Sequence, residues 1–379
     1  MASEQQAGIP FTADAVHPGE IVSEYVEFHG WTQRDLARRT GLTPKTISEI
    51  CNGKAPLTPT TALALEKVLR RPAHFWLNLQ RQYDEAEARN RELRKSALWT
   101  DWARKFPLKD MKRLRFSLPA GRSDVDALLT FLGVSSPESW DAVWTASNVA
   151  YRQTRKFAQS AEAISAWVRE TELTAEQMET APFDEAKLRA SIGELRRLTR
   201  EKADSILNPV QSICAGFGVA VVLVPELPHC GISGSAQWLS DKKALIGLTL
   251  RYKTDDQLWF TFFHELGHIL LHRKKKTLIV DNAADDLSDR IIDPEMQGYE
   301  AEANQFSADT LIPPETLSEF LRARYSARDI TSDAIHDFAE AVGVGPGIVV
   351  GRLQHDGILK GFQGNTLKQR LNWHFGEGA

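Results

Sequence analysis

The sequence predicts a mainly α-helical protein with one small β-sheet, a fold of the α+β class. Apolar residues recur at helical spacing over most of the chain. A β-branched run bounded by glycine and proline follows residue 216, and an apolar run of helix length lies at residues 259–272. With 379 residues the chain is long enough for about two or three domains with separate cores.

Residues 17–85 are expected to form a bundle of short helices. The expected N-cap positions of three of these helices are occupied by threonine, at Thr32, Thr43 and Thr58. Thr43 and Thr58 are followed directly by proline, which favours the first turn of a helix. A glycine provides the turn between the second and third helices, and a fifth, short helix is expected around residues 75–79.

Two of these helices form a pattern typical of DNA-binding proteins. They are joined by a glycine-containing turn, and the second exposes short polar side chains, as in a helix-turn-helix that reads the major groove. The alternative is a bundle used only for protein contacts. Nine Lys/Arg oppose six Asp/Glu between residues 17 and 81. Because this excess is small, one copy should bind weakly, and a homodimer on palindromic double-stranded operator DNA is expected.

This segment resembles the XRE-type helix-turn-helix domain, in particular the HigA-like antitoxins. The resemblance implies that Gln33 and Lys54 contact phosphates while Lys45, Thr46 and Ser48 face the major groove. These side chains are donors suited to phosphates and base edges. The matching stretches are His17-Pro-Gly-Glu20, Trp31-Thr-Gln33, Leu36-Ala37, Gly41-Leu42-Thr43, Ile47-Ser48-Glu49-Ile50, Asn52-Gly53-Lys54 and Phe75-Trp76-Leu77-Asn78-Leu79-Gln80.

Residues 86–205 are expected to form a helical connector. A charged stretch at residues 85–95 predicts a solvated helix, and Gly133 is expected to end a buried helix further on. Aromatic residues at helical spacing in this region are typical of core packing. The sequence of the connector contains no plausible cluster of metal ligands or nucleophiles.

Three strands are expected at residues 219–224, 231–238 and 244–250. Strands followed by a buried helix are the order of elements in a zincin peptidase. In that fold the substrate backbone can pair with a sheet edge beside the metal.

The apolar helix after the strands contains His264-Glu265-Leu-Gly-His268. Residues four apart lie on one helix face, so His264 and His268 can offer imidazole nitrogens to one tetrahedral Zn²⁺. Glu265 can then reach a zinc-bound water as its general base. The alternative is that both histidines are hydrogen-bonded core residues. A buried helix is nevertheless a costly place for two histidines and a carboxylate without a function.

A zinc site of this kind needs a third protein ligand. His272 lies about 12 Å from His264 along a straight helix, so it suits a hydrogen-bonding role better than ligation. Glu300 and Asn304 lie on one face of a second predicted helix, where Glu300 could bind the metal while Asn304 orients it or a histidine. Glu302 is the alternative third ligand.

Residues 209–314 resemble the ImmA/IrrE family of metallopeptidases. The resemblance implies zinc as the cofactor, Glu300 as the third ligand, and repressors or other stress, phage or toxin–antitoxin components as the cleaved proteins. Tyr252, Tyr299 or His272 could stabilise the oxyanion, and spacing does not choose among them. The matching stretches are Arg251-Tyr-Lys-Thr-Asp-Asp256, Trp259-Phe-Thr-Phe-Phe-His264-Glu265-Leu-Gly-His268 and Glu300-Ala-Glu-Ala303-Asn304.

The end of the chain is expected to be helical, with Ser332 capping one helix and a terminal helix at residues 367–375. The whole chain is therefore expected to comprise a flexible arm (1–16), a helix-turn-helix DNA-binding domain (17–85), a helical connector (86–205), a zincin-like metallopeptidase domain (206–315) and a C-terminal helical subdomain (316–379).

The composition argues against several other classes of protein. A net charge of −4 predicts no general attraction to polyanions. Cys51, Cys214 and Cys230 are too widely spaced for a disulfide framework or a cysteine zinc cluster. Neither a signal peptide nor a membrane-spanning run is evident, so a cytoplasmic protein without membrane contact is expected.

Together these patterns predict a DNA-binding regulator with zinc-dependent endopeptidase activity toward a regulatory protein. The alternative is a HigA-like antitoxin whose peptidase-like half binds a toxin or senses a signal without catalysis. Glu265 favours the peptidase hypothesis, because a module that only binds a partner does not need this carboxylate.

Overall fold

The chain forms two compact units, Met1–Thr100 and Asp101–Ala379. Helices dominate, and four short strands form one sheet, so the predicted fold class is confirmed. No helix among the described residues is long and apolar enough to cross a bilayer. The computed structural model describes residues 16–120, 123–145, 160–202, 205–272, 279–281, 294–323 and 330–371. The predicted N-terminal arm therefore lies, except for its last residue, outside the described residues.

Local capping explains the helix boundaries of the first unit. Thr32 forms a complete capping box with Asp35, and Thr43 and Thr58 each accept a backbone N–H bond at a helix start, as predicted. The helices are α1 Pro18–Phe28, α2 Gln33–Thr40, α3 Pro44–Cys51, α4 Pro59–Leu69 and α5 Ala73–Leu98.

The helices of this unit pack around Trp76, which is fully buried. Gly19 allows α1 to cross α3 closely, because a Cβ at this position would stand 1.8 Å from the carbonyl oxygen of Ile50. Val22, Leu36 and Leu65 are also fully buried in this core.

The fifth helix is much longer than predicted. A short helix around residues 75–79 was expected, whereas α5 runs without a break for 26 residues through the charged stretch that follows. The sequence between residues 73 and 98 contains neither glycine nor proline. Ion pairs one turn apart, such as Arg89 with Glu85 and Lys95 with Glu92, support its exposed half.

Helices precede the sheet in the second unit. Gly133 adopts a left-handed conformation at the end of α8, as predicted for a helix stop. A π-helical turn follows α9 at Asp141–Thr145, and a 3-10 turn follows α11 at Leu198–Arg200. The helices between α5 and the sheet are α6 Thr100–Ala103, α7 Leu108–Arg113, α8 Asp124–Leu132, α9 Pro137–Trp140, α10 Ala161–Glu176, α11 Glu185–Arg197 and α12 Leu207–Ala215.

The sheet has the strand order β1-β3-β2-β4. Its strands are β1 Val219–Leu223, β2 Gly234–Ser240, β3 Lys243–Leu248 and β4 Ile279–Asp281. β1 runs parallel to β3, while β2 is antiparallel to both β3 and β4. Three of these strands were predicted. The fourth pairs with the outer side of β2 and forms that edge of the sheet. Pairing of a substrate backbone with a sheet edge stays a prediction.

The helices that follow the strands share one hydrophobic core with the sheet. They are α13 Asp255–Leu271, α14 Pro294–Leu311, α15 Pro314–Arg322, α16 Ser332–Val342 and α17 Pro346–His355. Helix α16 is capped by Thr331, one residue before the predicted Ser332.

The predicted terminal helix at residues 367–375 is wrong in its first part. A 3-10 turn occupies Asn365–Leu367, and the chain then extends so that Arg370 forms a β-bridge with Thr254. The backbone N–H of Leu371 donates to the carbonyl of Lys253. This segment therefore makes hydrogen bonds to the residues just before α13 instead of the internal hydrogen bonds of a helix. Residues 372–375 lie outside the described residues.

Candidate metal centre and DNA interface

Helix α13 carries both motif histidines into the interior of the second unit. Phe262 and Phe263 are at most 1% exposed, and His264, Glu265 and His268 are at most 3% exposed. Burial of polar side chains is costly unless other groups satisfy them. The groups around these three side chains therefore decide what the site can do.

Two small residues bring α14 against this part of α13. A Cβ on Gly267 would stand 3.0 Å from Cδ1 of Phe306 and 3.4 Å from Cα of Ala303. The helix axes can approach this closely because Gly267 has no side chain. The approach places Glu300 and Asn304 of α14 within reach of the motif histidines.

His264, His268 and Glu300 form a buried cluster of three metal-ligand side chains. Nε2 of His264 lies 2.9 Å from Nε2 of His268 and 3.3 Å from Oε2 of Glu300. Nε2 of His268 lies 3.7 Å from Oε1 of Glu300. In a tetrahedral zinc site with bonds of about 2.0–2.1 Å, neighbouring ligand atoms stand roughly 3.3–3.4 Å apart. The three donors therefore fit one Zn²⁺.

Asn304 fixes the proton on the first histidine. Nδ1 of His264 lies 2.9 Å from Oδ1 of Asn304. A carbonyl oxygen only accepts hydrogen bonds, so Nδ1 of His264 carries a proton, and in the neutral ring Nε2 keeps a lone pair. This contact is the one that an orienting role of Asn304 requires, and that role stays a prediction.

The second histidine has a histidine as its partner. Nδ1 of His268 lies 3.0 Å from Nδ1 of His272, whose Nε2 lies 3.0 Å from Oε2 of Glu302. Burial, reinforced by His264 and His272, lowers the pKa of His268 to about 2. The ring of His268 is therefore neutral at pH 7 and has a lone pair to offer. Glu302, the alternative third ligand, contacts His272 and is not in the three-residue cluster.

Glu265 packs against the start of β2. A Cβ built on Gly234 would stand 2.6 Å from Oε1 of Glu265 and 2.6 Å from Cγ2 of Thr261. Only glycine leaves room for the carboxylate at this position. Gly234 was not among the predicted site residues. The available signal was a glycine inside a strand-like segment, which often marks a close approach of another group.

The three candidates for oxyanion stabilisation have different surroundings. The ring of Tyr299 packs against that of His272, with centroids 4.4 Å apart. Tyr252 is 42% exposed, and the guanidinium carbon of Arg251 lies 5.5 Å from its ring centroid. The oxyanion role of all three stays a prediction.

Helix α3 has one buried face and one open face. Ile47 and Ile50 are each 1% exposed, whereas the Lys45 side chain is 82% exposed and lies 3.8 Å from Glu49. The hydroxyl of Ser48 accepts a bond from the Asn52 amide at 3.2 Å. Lys45 and Ser48 lie three residues apart and therefore share one face of α3, on which Lys45 is exposed and Ser48 is half-buried.

The other DNA-contact candidates flank this face. Gln33 is the exposed first residue of α2, and Lys54 is exposed just after α3. The hydroxyl of Thr46, which is half-buried, lies 2.8 Å from that of Thr43 at the start of α3. A helix with exposed donors along one face can enter a major groove.

Two family models match the chain, one in each unit. A model described as helix-turn-helix matches residues 25–76, and a model described as IrrE N-terminal-like domain matches residues 239–354. The second match includes α13 and α14 and extends into α17.

Relatives with similar sequences match about a fifth of the chain. The chain is 37% identical over 76 residues to the uncharacterised HTH-type transcriptional regulator YddM of Escherichia coli (strain K12), covering 20% of this chain and 81% of the relative. It is 36% identical over 77 residues to antitoxin HigA-1 of Vibrio cholerae serotype O1, covering 20% and 72%. A solved structure of an addiction module antidote protein of the HigA family from Coxiella burnetii is 34% identical, with coverage of 21% and 89% and a TM-score of 0.21.

Proposed function

We propose that this chain, which belongs to the XRE-type helix-turn-helix family through its HigA-like N-terminal domain, is a regulator with two activities. It also carries an IrrE-like peptidase domain, which would supply the second activity. The first unit binds operator DNA. The second unit is a zinc endopeptidase that cuts a protein partner, either a repressor or a component of a toxin–antitoxin, phage-defence or stress system.

One observation carries the peptidase proposal: two histidine nitrogens and a carboxylate converge in a buried site. His264, His268 and Glu300 would hold the zinc through these atoms. Bound there, zinc supplies Lewis acidity, which polarises a peptide carbonyl and makes water more acidic. The hydrogen bond from His264 to Asn304 keeps a lone pair directed at the cluster.

Glu265 performs the proton transfers in this proposal. Its carboxylate takes a proton from the water whose oxygen attacks the peptide carbonyl carbon. The same carboxyl group then gives that proton to the amine as the carbon–nitrogen bond breaks. Gly234 packs against Glu265 and limits the positions that its carboxylate can take, which proton transfer requires.

The DNA-binding proposal rests on the open face of α3 and on the similarity to antitoxin HigA-1. Lys45, Thr46 and Ser48 contact base edges, while Gln33 and Lys54 contact phosphates. Because the positive excess of this unit is small, the protein binds as a homodimer to a palindrome. It acts in the cytoplasm, since both operator DNA and regulatory proteins are found there.

A comparison of protein N-termini in cells tests the peptidase proposal and identifies the substrate in the same experiment. Cells that produce the chain are compared by mass spectrometry with cells that produce its Glu265→Gln variant at equal level. One or a few new N-termini are expected only with the unaltered chain. Identical sets of N-termini would instead support the non-catalytic antitoxin.

A further inference from the structure

We propose that His272 and Glu302 act together as positioning residues that hold His268 in the tautomer able to bind zinc. The inference rests on the proposed function, since it concerns the metal site of that peptidase. Neither residue belongs to the cluster of three ligands, and Glu302 lies 30 residues further along the chain than His272.

Both ring nitrogens of His272 are engaged. Its Nε2 lies 3.0 Å from Oε2 of Glu302, and its Nδ1 lies 3.0 Å from Nδ1 of His268. The His272 side chain is 3% exposed at the C-terminal end of α13, and the ring of Tyr299 packs against it. The ring is therefore held between a carboxylate and a metal-ligand histidine.

The positions of the protons follow from the chemistry of these groups. An ionised carboxylate only accepts hydrogen bonds, so Nε2 of His272 carries a proton. In a neutral ring the other nitrogen is then an acceptor, which requires Nδ1 of His268 to donate. Nε2 of His268, the atom in the cluster, is left with a lone pair.

Without Glu302, the protons on His272 and His268 could take the opposite positions. His272 could then donate through Nδ1, and Nδ1 of His268 would accept. That arrangement puts a proton on Nε2 of His268, where zinc would have to bind. The carboxylate is needed because two imidazoles alone do not fix the direction of the hydrogen bond between them.

Exposure distinguishes this role from a purely structural one. The Glu302 side chain is 63% exposed, and an ion pair so open to solvent contributes little to folding. Removal of a hydrogen-bond partner of a metal-ligand histidine, in contrast, commonly weakens metal binding about 10- to 100-fold. Glu302→Ala should therefore weaken zinc binding and leave the thermal midpoint of the metal-free protein unchanged.

The test measures zinc affinity of the full chain by competition with a chelator, together with the visible spectrum of the cobalt-substituted protein. Glu302→Ala should weaken zinc binding about 10- to 100-fold and alter the cobalt spectrum. Glu319→Gln is the matched control, because it removes an exposed carboxylate from the neighbouring helix α15 and should change neither.

A second variant shows whether Glu302 affects zinc binding through the tautomer of His268 or only through its negative charge. In His272→Asn the side-chain amide oxygen can accept from Nδ1 of His268 without help from a carboxylate. Zinc affinity should therefore stay close to that of the unaltered chain, and adding Glu302→Ala to His272→Asn should change it less than about twofold. An unchanged affinity and cobalt spectrum in Glu302→Ala alone would overturn the inference. Failure of the unaltered chain to bind zinc would instead overturn the proposed function itself.

Discussion

Cα of Gly234 lies against the carboxylate of Glu265, so closely that a Cβ on Gly234 would stand 2.6 Å from Oε1 of Glu265. Gly234 begins β2, and Glu265 lies on α13 between the motif histidines. The contact thus fixes the distance between the sheet and the proposed general base. It makes the position of Glu265 sensitive to a single methyl group.

Gly234→Ala should lower cleavage of the partner protein while the chain keeps its zinc. The added methyl group displaces the Glu265 carboxylate, and a shift of about 1 Å can cost on the order of 100-fold in rate. Initial cleavage rates and zinc content provide the measurement. Gly193→Ala is the control, because its Cβ would meet nothing within 4 Å and helix α11 tolerates alanine well. Equal rates for Gly234→Ala and the unaltered chain would contradict the proposed position of the base.

Metal analysis of the purified chain should find about one zinc per molecule, and His264→Ala should lose it. Zinc that binds only the folded state should raise the free energy of unfolding by about 4 kcal/mol at a thousandfold excess over its dissociation constant. Thermal unfolding with and without a chelator measures this change. His336→Ala removes an exposed histidine and should keep both the zinc and the shift. Retention of zinc by His264→Ala would exclude the cluster as its site.

Lys45→Ala and Ser48→Ala should each weaken operator binding by about 1–3 kcal/mol if these side chains contact base edges. Fluorescence anisotropy on a DNA fragment selected from the genome by the full chain gives the affinities, at one stated salt concentration. Lys67→Ala, which removes an exposed lysine from α4, should have a smaller effect. Glu265→Gln should leave DNA affinity unchanged. A greater loss for Lys67→Ala than for Lys45→Ala would rule out α3 as the reading helix.

Asp255 should make the second unit less stable as the pH rises from about 4 to 7. Burial, reinforced by Asp256, raises its pKa to about 6, and its Oδ2 has no hydrogen-bond partner among the described residues. Because the folded state holds this proton more tightly, the stabilisation is complete below the unfolded pKa and is lost as the pH passes about 6. The loss is of the order of 3 kcal/mol.

Denaturant unfolding of Asp255→Asn at pH 4 and pH 7 tests this dependence. The variant should be more stable than the unaltered chain at pH 7, and the difference should shrink toward pH 4. Asp337→Asn changes an exposed aspartate of α16 and is the control. The same pH dependence in Asp255→Asn as in the unaltered chain would show that another group causes it.

Local chemistry made much of the fold predictable. Thr32 and Thr43 start their helices as expected, because a cap acts over three residues. The sequence predicted that Asn304 would contact either Glu300 or a histidine, because Glu300 and Asn304 lie four residues apart on one helix face. In the structure Asn304 contacts His264. Each of these predictions needs only neighbouring positions in the sequence.

Contacts that depend on packing between distant segments were not predictable. The approach of Gly234 to Glu265 requires the position of the sheet relative to α13, and the bond between His272 and Glu302 joins two helices. The strand β4 is only three residues long, too short for a β pattern to be distinguished from a loop. The extended segment that ends at Leu371 is fixed by bonds to Lys253, which no local pattern indicates.

The most direct test of the proposed peptidase activity is zinc-dependent cleavage of the partner protein identified by its new N-terminus. The purified partner is incubated with the chain after zinc removal, after zinc is restored, and with zinc-loaded Glu265→Gln. We expect cleavage only with the zinc-restored chain and a rate at least about 100-fold lower for Glu265→Gln, with one zinc still bound. Cleavage by the Glu265→Gln variant at the rate of the unaltered chain would contradict the proposed role of Glu265 as the general base.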